Sequence, residues 1–409
     1  MNDNMNRRDF AKSTGLAALA AGGVATGSSQ ASADADMPAS SPIPGYDKPH
    51  TDVELIPGMR EQGKGLKCYV ESDYAPLKAC IVGNPSAIYL PNPDTWEYAN
   101  ILAKAPDEMK GYMRKHAGRD LKESDPKMWE KMAMESDALA EAYRKNGVQV
   151  IRNESGSTPQ ELVDYTLSWS RQKQMTLFAQ SAGETFGHLF VCMHEVSNSF
   201  VNELTVREAM VEVMKNDPEA LLVSMPSLVP TPDFPQPGPF LSPGDPLIFD
   251  KKVVLGLGVK DPSDINDPMK PRSSGNEFGA EMLRRLLQPF GWSVEVVYFD
   301  MKFTYHIDCL WGVLEEGLMA MPKGAMFSPM PEFLKDWEVL EVPYEEHKIG
   351  FSNNEPLGDK RLVMPAKCPK MVKTLEKRGW TCIEVPYENI YTAIGSGIHC
   401  STAAIWRES

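Results

Sequence analysis

The sequence predicts an α/β fold in which about five copies of one helix, stop and strand unit pack around a common centre. Three observations lead there. Helices that end at Asn or Gly run straight into β-rich strands at several points along the 409 residues. A Trp follows the stop in three of these units, as Trp292, Trp337 and Trp380. The last two copies share W-x-x-x-E-V-P-Y-E, at an offset of 43 residues. Such a unit cannot bury its own apolar face, so its recurrence implies neighbours that cover it. An ordinary α/β sheet with similar helix stops is the alternative reading of the same pattern.

Taken in order, residues 1–33 read as a twin-arginine (Tat) signal: Asn6-Arg7-Arg8-Asp9-Phe10-Ala11-Lys12, a mildly apolar run from Ser13 to Gly27, and small residues up to a cleavage point near Ala33. The expected destination is the periplasm, with the Tat export machinery as a partner. Residues 34–65 are rich in Pro, Ser, Ala and Asp and read as an extended or disordered leader. The catalytic domain is expected over 66–409. It opens with a short apolar strand at the end of Tyr74–Gly83. Asp125-Pro126 is a cap residue followed by proline at the first helical position, and Met128, Trp129, Met132, Leu139 and Tyr143 form one apolar face up to Asn146-Gly147. The strand Val148–Ile151 follows. Further units are a helix before Asn216 with the strand Ala220–Val223, and Glu277–Leu286 with Gly291 and Trp292–Val296. Two more are a segment ending at Asp336 with Trp337–Tyr344, and Lys370–Arg378 with Gly379 and Trp380–Tyr387. The Pro-rich connector from Pro226 to Pro246 suits a loop over a site.

Charge and cysteine content narrow the function. With 42 Lys+Arg against 56 Asp+Glu the formal net charge is −14, which argues against nucleic acid or an anionic membrane as partner and suits a cationic small molecule. Seven cysteines leave at least one thiol unpaired. In Gly395-Ser396-Gly397-Ile398-His399-Cys400-Ser401-Thr402 a cysteine follows a glycine-punctuated turn, where it is either a nucleophile or a buried structural thiol. In an extended segment His399 would face away from Cys400. If Tyr305–Trp311 is a strand, His306 and Asp308 share one face about 6.6 Å apart with Ile307 behind them, an imidazole and a carboxylate aimed at one cavity. Asp245, in Ser242–Phe249, reads on its own as a turn aspartate. Gly256-Leu257-Gly258 lacks the third glycine of a dinucleotide fingerprint, and His188, Cys192 and His194 lie in an apolar run that reads as core. Neither a cofactor nor a metal is expected.

Together, Tyr305-His306-Ile307-Asp308 and Gly395–Thr402 resemble the paired signatures of the glycine/inosamine amidinotransferases, in the guanidine-modifying (pentein) superfamily. Tyr74–Gly83 is similar to that family's first strand, as is the Asp245 segment with Arg272–Phe278 to later family segments, so the similarity covers most of 66–409. The resemblance implies a five-module, pseudo-symmetric α/β propeller. It also implies a nucleophile at Cys400, an acid/base at His306, and carboxylates at Asp308 and Asp245 that grip a guanidinium. Where the family has an aspartate after Pro-Arg, this chain reads Ala182–Gly187, which makes Glu184 the candidate substitute. The family's arginine for a substrate carboxylate has no counterpart in Met321–Ala325. The expected activity is amidino transfer from a guanidino donor to an amine through an amidino-cysteine. An amidinohydrolase or deiminase, and a non-catalytic periplasmic binding protein, are the alternatives; a homodimer is left open.

Overall fold

The computed structural model of the chain describes residues 65–152, 175–194, 202–225 and 238–408, all of them within the compact unit Glu54–Ser409. The twin-arginine segment, the leader up to residue 64 and the first part of the Pro-rich connector lie outside the described residues. Among the described residues no helix is long and apolar enough to cross a membrane.

Five three-stranded sheets make up the fold, each with the same internal wiring. In the first, β1 (Leu77–Val82) pairs in parallel with β2 (Gln149–Arg152). Between them runs α1 (Pro126–Lys145), whose Asp125 carboxylate accepts from the Met128 N–H while Pro126 begins the helix. Met132, Leu139 and Tyr143 face inward, and Gly147 turns the chain into β2 with φ of 81°.

The next four sheets each consist of a hairpin and a returning parallel strand. They are β3 (Gly183–Phe186), β4 (Leu189–Cys192) and β5 (Leu221–Ser224); β6 (Pro246–Phe249), β7 (Lys252–Val259) and β8 (Ser293–Asp300); β9 (Gly312–Glu315), β10 (Leu318–Met321) and β11 (Glu338–Glu341); and β12 (Glu355–Gly358), β13 (Arg361–Pro365) and β14 (Thr381–Val385). All four hairpins close through two-residue turns, as the pairs Phe186 with Leu189, Phe249 with Lys252, Glu315 with Leu318, and Gly358 with Arg361 require. In two of them both turn residues have positive φ, Asp250-Lys251 and Asp359-Lys360, the backbone twist that matches a hairpin's strands. The returning strands follow α2 (Glu203–Asn216), α3 (Glu277–Leu287) and α4 (Pro369–Glu376).

Five helix-stop-strand units read from the sequence are thus the five crossovers and outer strands, and the five-module α/β architecture stands. The fourth departs in detail: Pro329 and Pro331 restrict the segment before Asp336 to a single 3-10 turn, Glu332–Leu334. The Trp residues after the stops brace neighbouring modules. Trp292 meets Phe186 edge-on at 5.8 Å and Trp337 meets Phe249 at 5.2 Å.

The first sheet takes its third strand from the other end of the chain, β15 (Thr402–Arg407), antiparallel to β1. This closes the ring of modules. The buried Arg407 fastens the closure, donating to the Ala75 carbonyl at 2.6 Å, the Pro356 carbonyl at 2.9 Å, and the Glu355 carboxylate. Removing one partner of a buried pair leaves an uncompensated charge. Arg407→Ala is therefore expected to cost about 3–5 kcal/mol in urea unfolding. An unchanged midpoint would detach this residue from ring closure.

Candidate active site

The first strand of every module begins at one common region. Glu184 lies in β3, Asp245 immediately precedes β6, Asp308 stands shortly before β9, Glu355 opens β12, and His399-Cys400 precede β15. Convergence of five sheets therefore brings together residues far apart in sequence.

Cys400 is 4% exposed. As a thiol it donates to Asp308 Oδ2 at 3.3 Å; its own N–H donates to Asn353 Oδ1 at 3.2 Å, and Asn353 Nδ2 donates to its sulfur at 3.2 Å. Cys309 Sγ lies 3.7 Å away. The hydrogen bond from Cys309 is the largest influence lowering the Cys400 pKa to about 7; burial and the Asp308 charge oppose it, and His306 assists it. The Cys309 thiol is pushed up by the same hydrogen bond and by burial, so Cys309 is the proton donor of the pair.

Residues 305–311 form a turn where the sequence suggested a strand. The Ile307 carbonyl accepts from both Leu310 N and Trp311 N at 2.8 Å, while Asp308 N is bonded to the Gly244 carbonyl at 3.2 Å. The turn delivers what a strand was expected to deliver, and more tightly: ligating atoms of His306, Asp308 and Cys400 all lie within 4.8 Å of one another. Two glycines admit this loop. A Cβ on Gly244 would lie 2.6 Å from His306 Nδ1, and one on Gly256 only 2.4 Å from the Ile307 Cβ. Gly256 thus serves close packing within β7. Tyr305 stacks edge-on against the His306 ring and its hydroxyl meets Ser396 Oγ at 2.9 Å.

Asp245 sits behind this loop. It is fully buried; its carboxylate accepts from Ser242 N at 2.8 Å and from Ser274 Oγ, whose hydroxyl also reaches the Tyr305 carbonyl. Glu184 lies inside the site, accepting from Gln180 Nε2 and Thr185 N at 3.1 Å each. Burial, and then the neighbouring Asp73, raise its pKa to about 8.

The expectation that His399 faces away from Cys400 is overturned. Residues 398–401 form a turn, with Ser401 N bonded to the Ile398 carbonyl, so both side chains reach Asp308 Oδ2 at 3.3 Å. Burial alone would depress the His399 pKa, but Glu355, Asp308 and Asp73 lift it to about 10. It is a cation here, and for that reason no base. Although burial opposes it, the His399 hydrogen bond and charge hold Asp308 below the usual carboxylate range.

Five residues of the site were missed in the sequence: Asp73, Gln180, Cys309, Asn353 and Glu355. Asp73 and Glu355 are buried carboxylates raised by that burial, and the Gln180 amide spans Glu184 and His399. Cys309 adjoins Asp308 in a segment read only for its His and Asp, and the other four carry no local motif.

A cavity of about 60 Å³ reaches the His306 side of the site. Ile101, Leu102, Met113, Phe178 and Ile394 give it apolar walls, and Ser181, Asn202 and Ser396 contribute neutral polar groups; no Lys or Arg is among the described residues lining it. The set His306, Asp308 and Cys400 has the donor types to hold a metal ion, as does His188 with Asp217 and Glu219. His194 instead faces Glu203 at 2.9 Å, so His188, Cys192 and His194 form no single cluster.

No sequence-family profile matches the chain, and no curated protein matches it. Solved structures do. SxtG, an amidinotransferase from Microseira wollei in the saxitoxin biosynthetic pathway, is 17% identical over 84% of this chain and 98% of its own, with a TM-score of 0.66. Inosamine-phosphate amidinotransferase StrB1 from Streptomyces griseus is 17% identical over 84% and 97%, at 0.63. The N-terminal domain of ArgZ, an arginine dihydrolase from the ornithine-ammonia cycle in cyanobacteria, is 13% identical over 80% and 97%, at 0.54. The likeness is one of fold: the chain has the pentein fold, the five-module α/β propeller of these proteins.

Only a thiolate is alkylated. With its pKa lowered to about 7, Cys400 is reactive above that pH and loses reactivity as pH falls through it. The Cys400 iodoacetamide rate, followed by peptide mapping, should fall about tenfold per pH unit below 7 and level off above it. Cys309→Ala should move the midpoint upward. A wild-type rate still climbing tenfold per unit near pH 9 would mean that Cys400 is not activated.

Proposed function

We propose that this protein is an exported, cysteine-dependent amidinotransferase that moves an amidino group from a guanidino donor to an amine. One observation carries the reading: Asp308, buried beside the Cys400 sulfur, keeps Oδ1 without a hydrogen bond among the described residues, within a cluster that also holds Asp73, Glu184 and Glu355. Such a surface suits a planar cation that offers several N–H donors at once.

With a guanidinium held by Asp308 and Glu184, its central carbon faces the thiol. His306 takes the Cys400 proton and the thiolate attacks, forming an S–C bond as the C=N electrons move onto nitrogen. His306 returns the proton to the departing amine as the C–N bond breaks, leaving an amidino-cysteine. An acceptor amine attacks the same carbon, gives its proton to His306 and releases Cys400. Asp245, through Ser274 and the Tyr305 carbonyl, holds the loop that carries His306. His399 keeps Asp308 ionised when the site is empty of substrate.

The apolar walls support transfer over hydrolysis, because an adduct shielded from bulk water waits for an amine. The net charge of −14 suits a cationic substrate.

Intact-mass measurement after incubation with a panel of guanidino compounds should find one amidino adduct. Cys400→Ala should abolish it, His306→Ala should form it at least roughly tenfold more slowly, and an added amine should discharge it. Decay in plain buffer would make the enzyme a hydrolase. Unmodified protein across the panel, with binding seen by calorimetry, would return it to a binding role.

Export rests on Asn6–Lys12 and the small residues before Asp34. Protein from a periplasmic fraction should begin at Asp34. The double change Arg7→Lys, Arg8→Lys should leave uncleaved chain in the cytoplasm; normal processing of that variant would refute the twin-arginine route.

A further inference from the structure

Beyond its hydrogen bond to Cys400, Cys309 takes no part in the bond changes of amidino transfer, and its sulfur lies 3.7 Å from that of Cys400. Both side chains are buried, and one amide fixes both sulfurs: Asn353 Nδ2 donates to each at 3.2 Å while Asn353 Oδ1 accepts from the Cys400 N–H. Each cysteine stands in a turn, within 307–311 and 398–401, and not inside a strand. A disulfide brings two sulfurs to about 2 Å, so two adjustable turns share a closure of under about 2 Å. The other five cysteines are free and buried or half-buried.

We propose that Cys309 is a resolving thiol for Cys400, and that a peroxide-class oxidant joins the two in a reversible disulfide. The steps balance. The Cys400 thiolate attacks one oxygen of hydrogen peroxide; an S–O bond forms, the O–O bond breaks, and hydroxide leaves after the sulfur has lost two electrons. Cys309 then attacks the Cys400 sulfur; the S–S bond forms, the S–O bond breaks, and the hydroxyl leaves as water with the Cys309 proton. Cys400 reacts first because it carries the thiolate, and Cys309 captures the sulfenic acid because it is held beside it. A dithiol reductant returns both thiols. The nucleophile is switched off while linked and is spared irreversible oxidation to the sulfinic acid.

The test needs no substrate, so its outcome is independent of the amidino chemistry. Reduced full-length protein is treated with hydrogen peroxide, quenched with iodoacetamide and mapped by peptide mass spectrometry. A peptide pair linked through Cys309 and Cys400 is expected, with the mass of two hydrogens lost. Dithiothreitol should restore about nine-tenths of alkylatable Cys400. In Cys309→Ala and Cys309→Ser, Cys400 should instead gain two oxygens, and dithiothreitol should recover roughly tenfold less of it. Wild-type protein in which Cys400 carries oxygen while Cys309 stays alkylatable would overturn the proposal. Recovery in both variants equal to the wild type would overturn it as well.

Discussion

One buried carboxylate oxygen organises the site. Asp308 Oδ2 lies 3.3 Å from both the Cys400 sulfur and His399 Nδ1, which ties the chain's last turn before β15 to the turn before β9. An ionised carboxylate away from water needs a compensating charge, and His399 supplies it. His399 in turn stays charged because Glu355 and Asp73 surround it. Glu355 is held by Arg407, whose other donors grip two further backbone carbonyls. The chain of dependence therefore runs from the Cys400 thiol to the strand that closes the ring. A change that loosens β15 reaches the thiol within a few contacts.

Symmetry explains why the residues meet at all. A hairpin followed by a returning outer strand puts the start of each first strand in the same place in every module, so five loops with unrelated sequences open onto one volume. Rigid strands set the position and the turns set the chemistry, as when residues 305–311 bring His306 and Asp308 within 4.8 Å of Cys400 and the Cys309 sulfur within 3.7 Å of it.

The same arrangement decides what the sequence could reveal. Outer strands such as β5 and β14 are partly exposed and follow helices that stop at Asn216 and just before Gly379, so both their pattern and their punctuation are legible. The hairpin strands are mostly runs of four buried residues with no alternation, and the turns Asp250-Lys251 and Asp359-Lys360 carry neither Gly nor Asn. Missing the hairpins meant missing Glu355 at the start of β12, although it opens its module much as Glu184 opens another. His306, Asp308 and Cys400 were legible through short motifs. Asn353 and Gln180 act by where they are held, and nothing in their flanking residues marks that. His399 was misjudged because adjacent side chains diverge in a strand, whereas in the turn at 398–401 they do not.

The charge inventory points the same way as the geometry. Asp73, Glu184, Asp308 and Glu355 are buried around one imidazolium and one guanidinium, His399 and Arg407. Four carboxylates cannot all ionise against two cations in a space closed to water, and burial raises the pKa values of Asp73, Glu184 and Glu355 accordingly. At Glu184, lifted to about 8, a proton occupies the role that a further cation would fill. A guanidinium bound as proposed would supply that charge together with directed N–H groups, exchanging the Glu184 proton for hydrogen bonds and meeting the open Asp308 Oδ1. The thiol follows the same balance: a cation beside Cys400 offsets the Asp308 charge that opposes its ionisation. Binding of such a cation and ionisation of the Cys400 thiol would then be one electrostatic event, coupled by the buried carboxylates around His399.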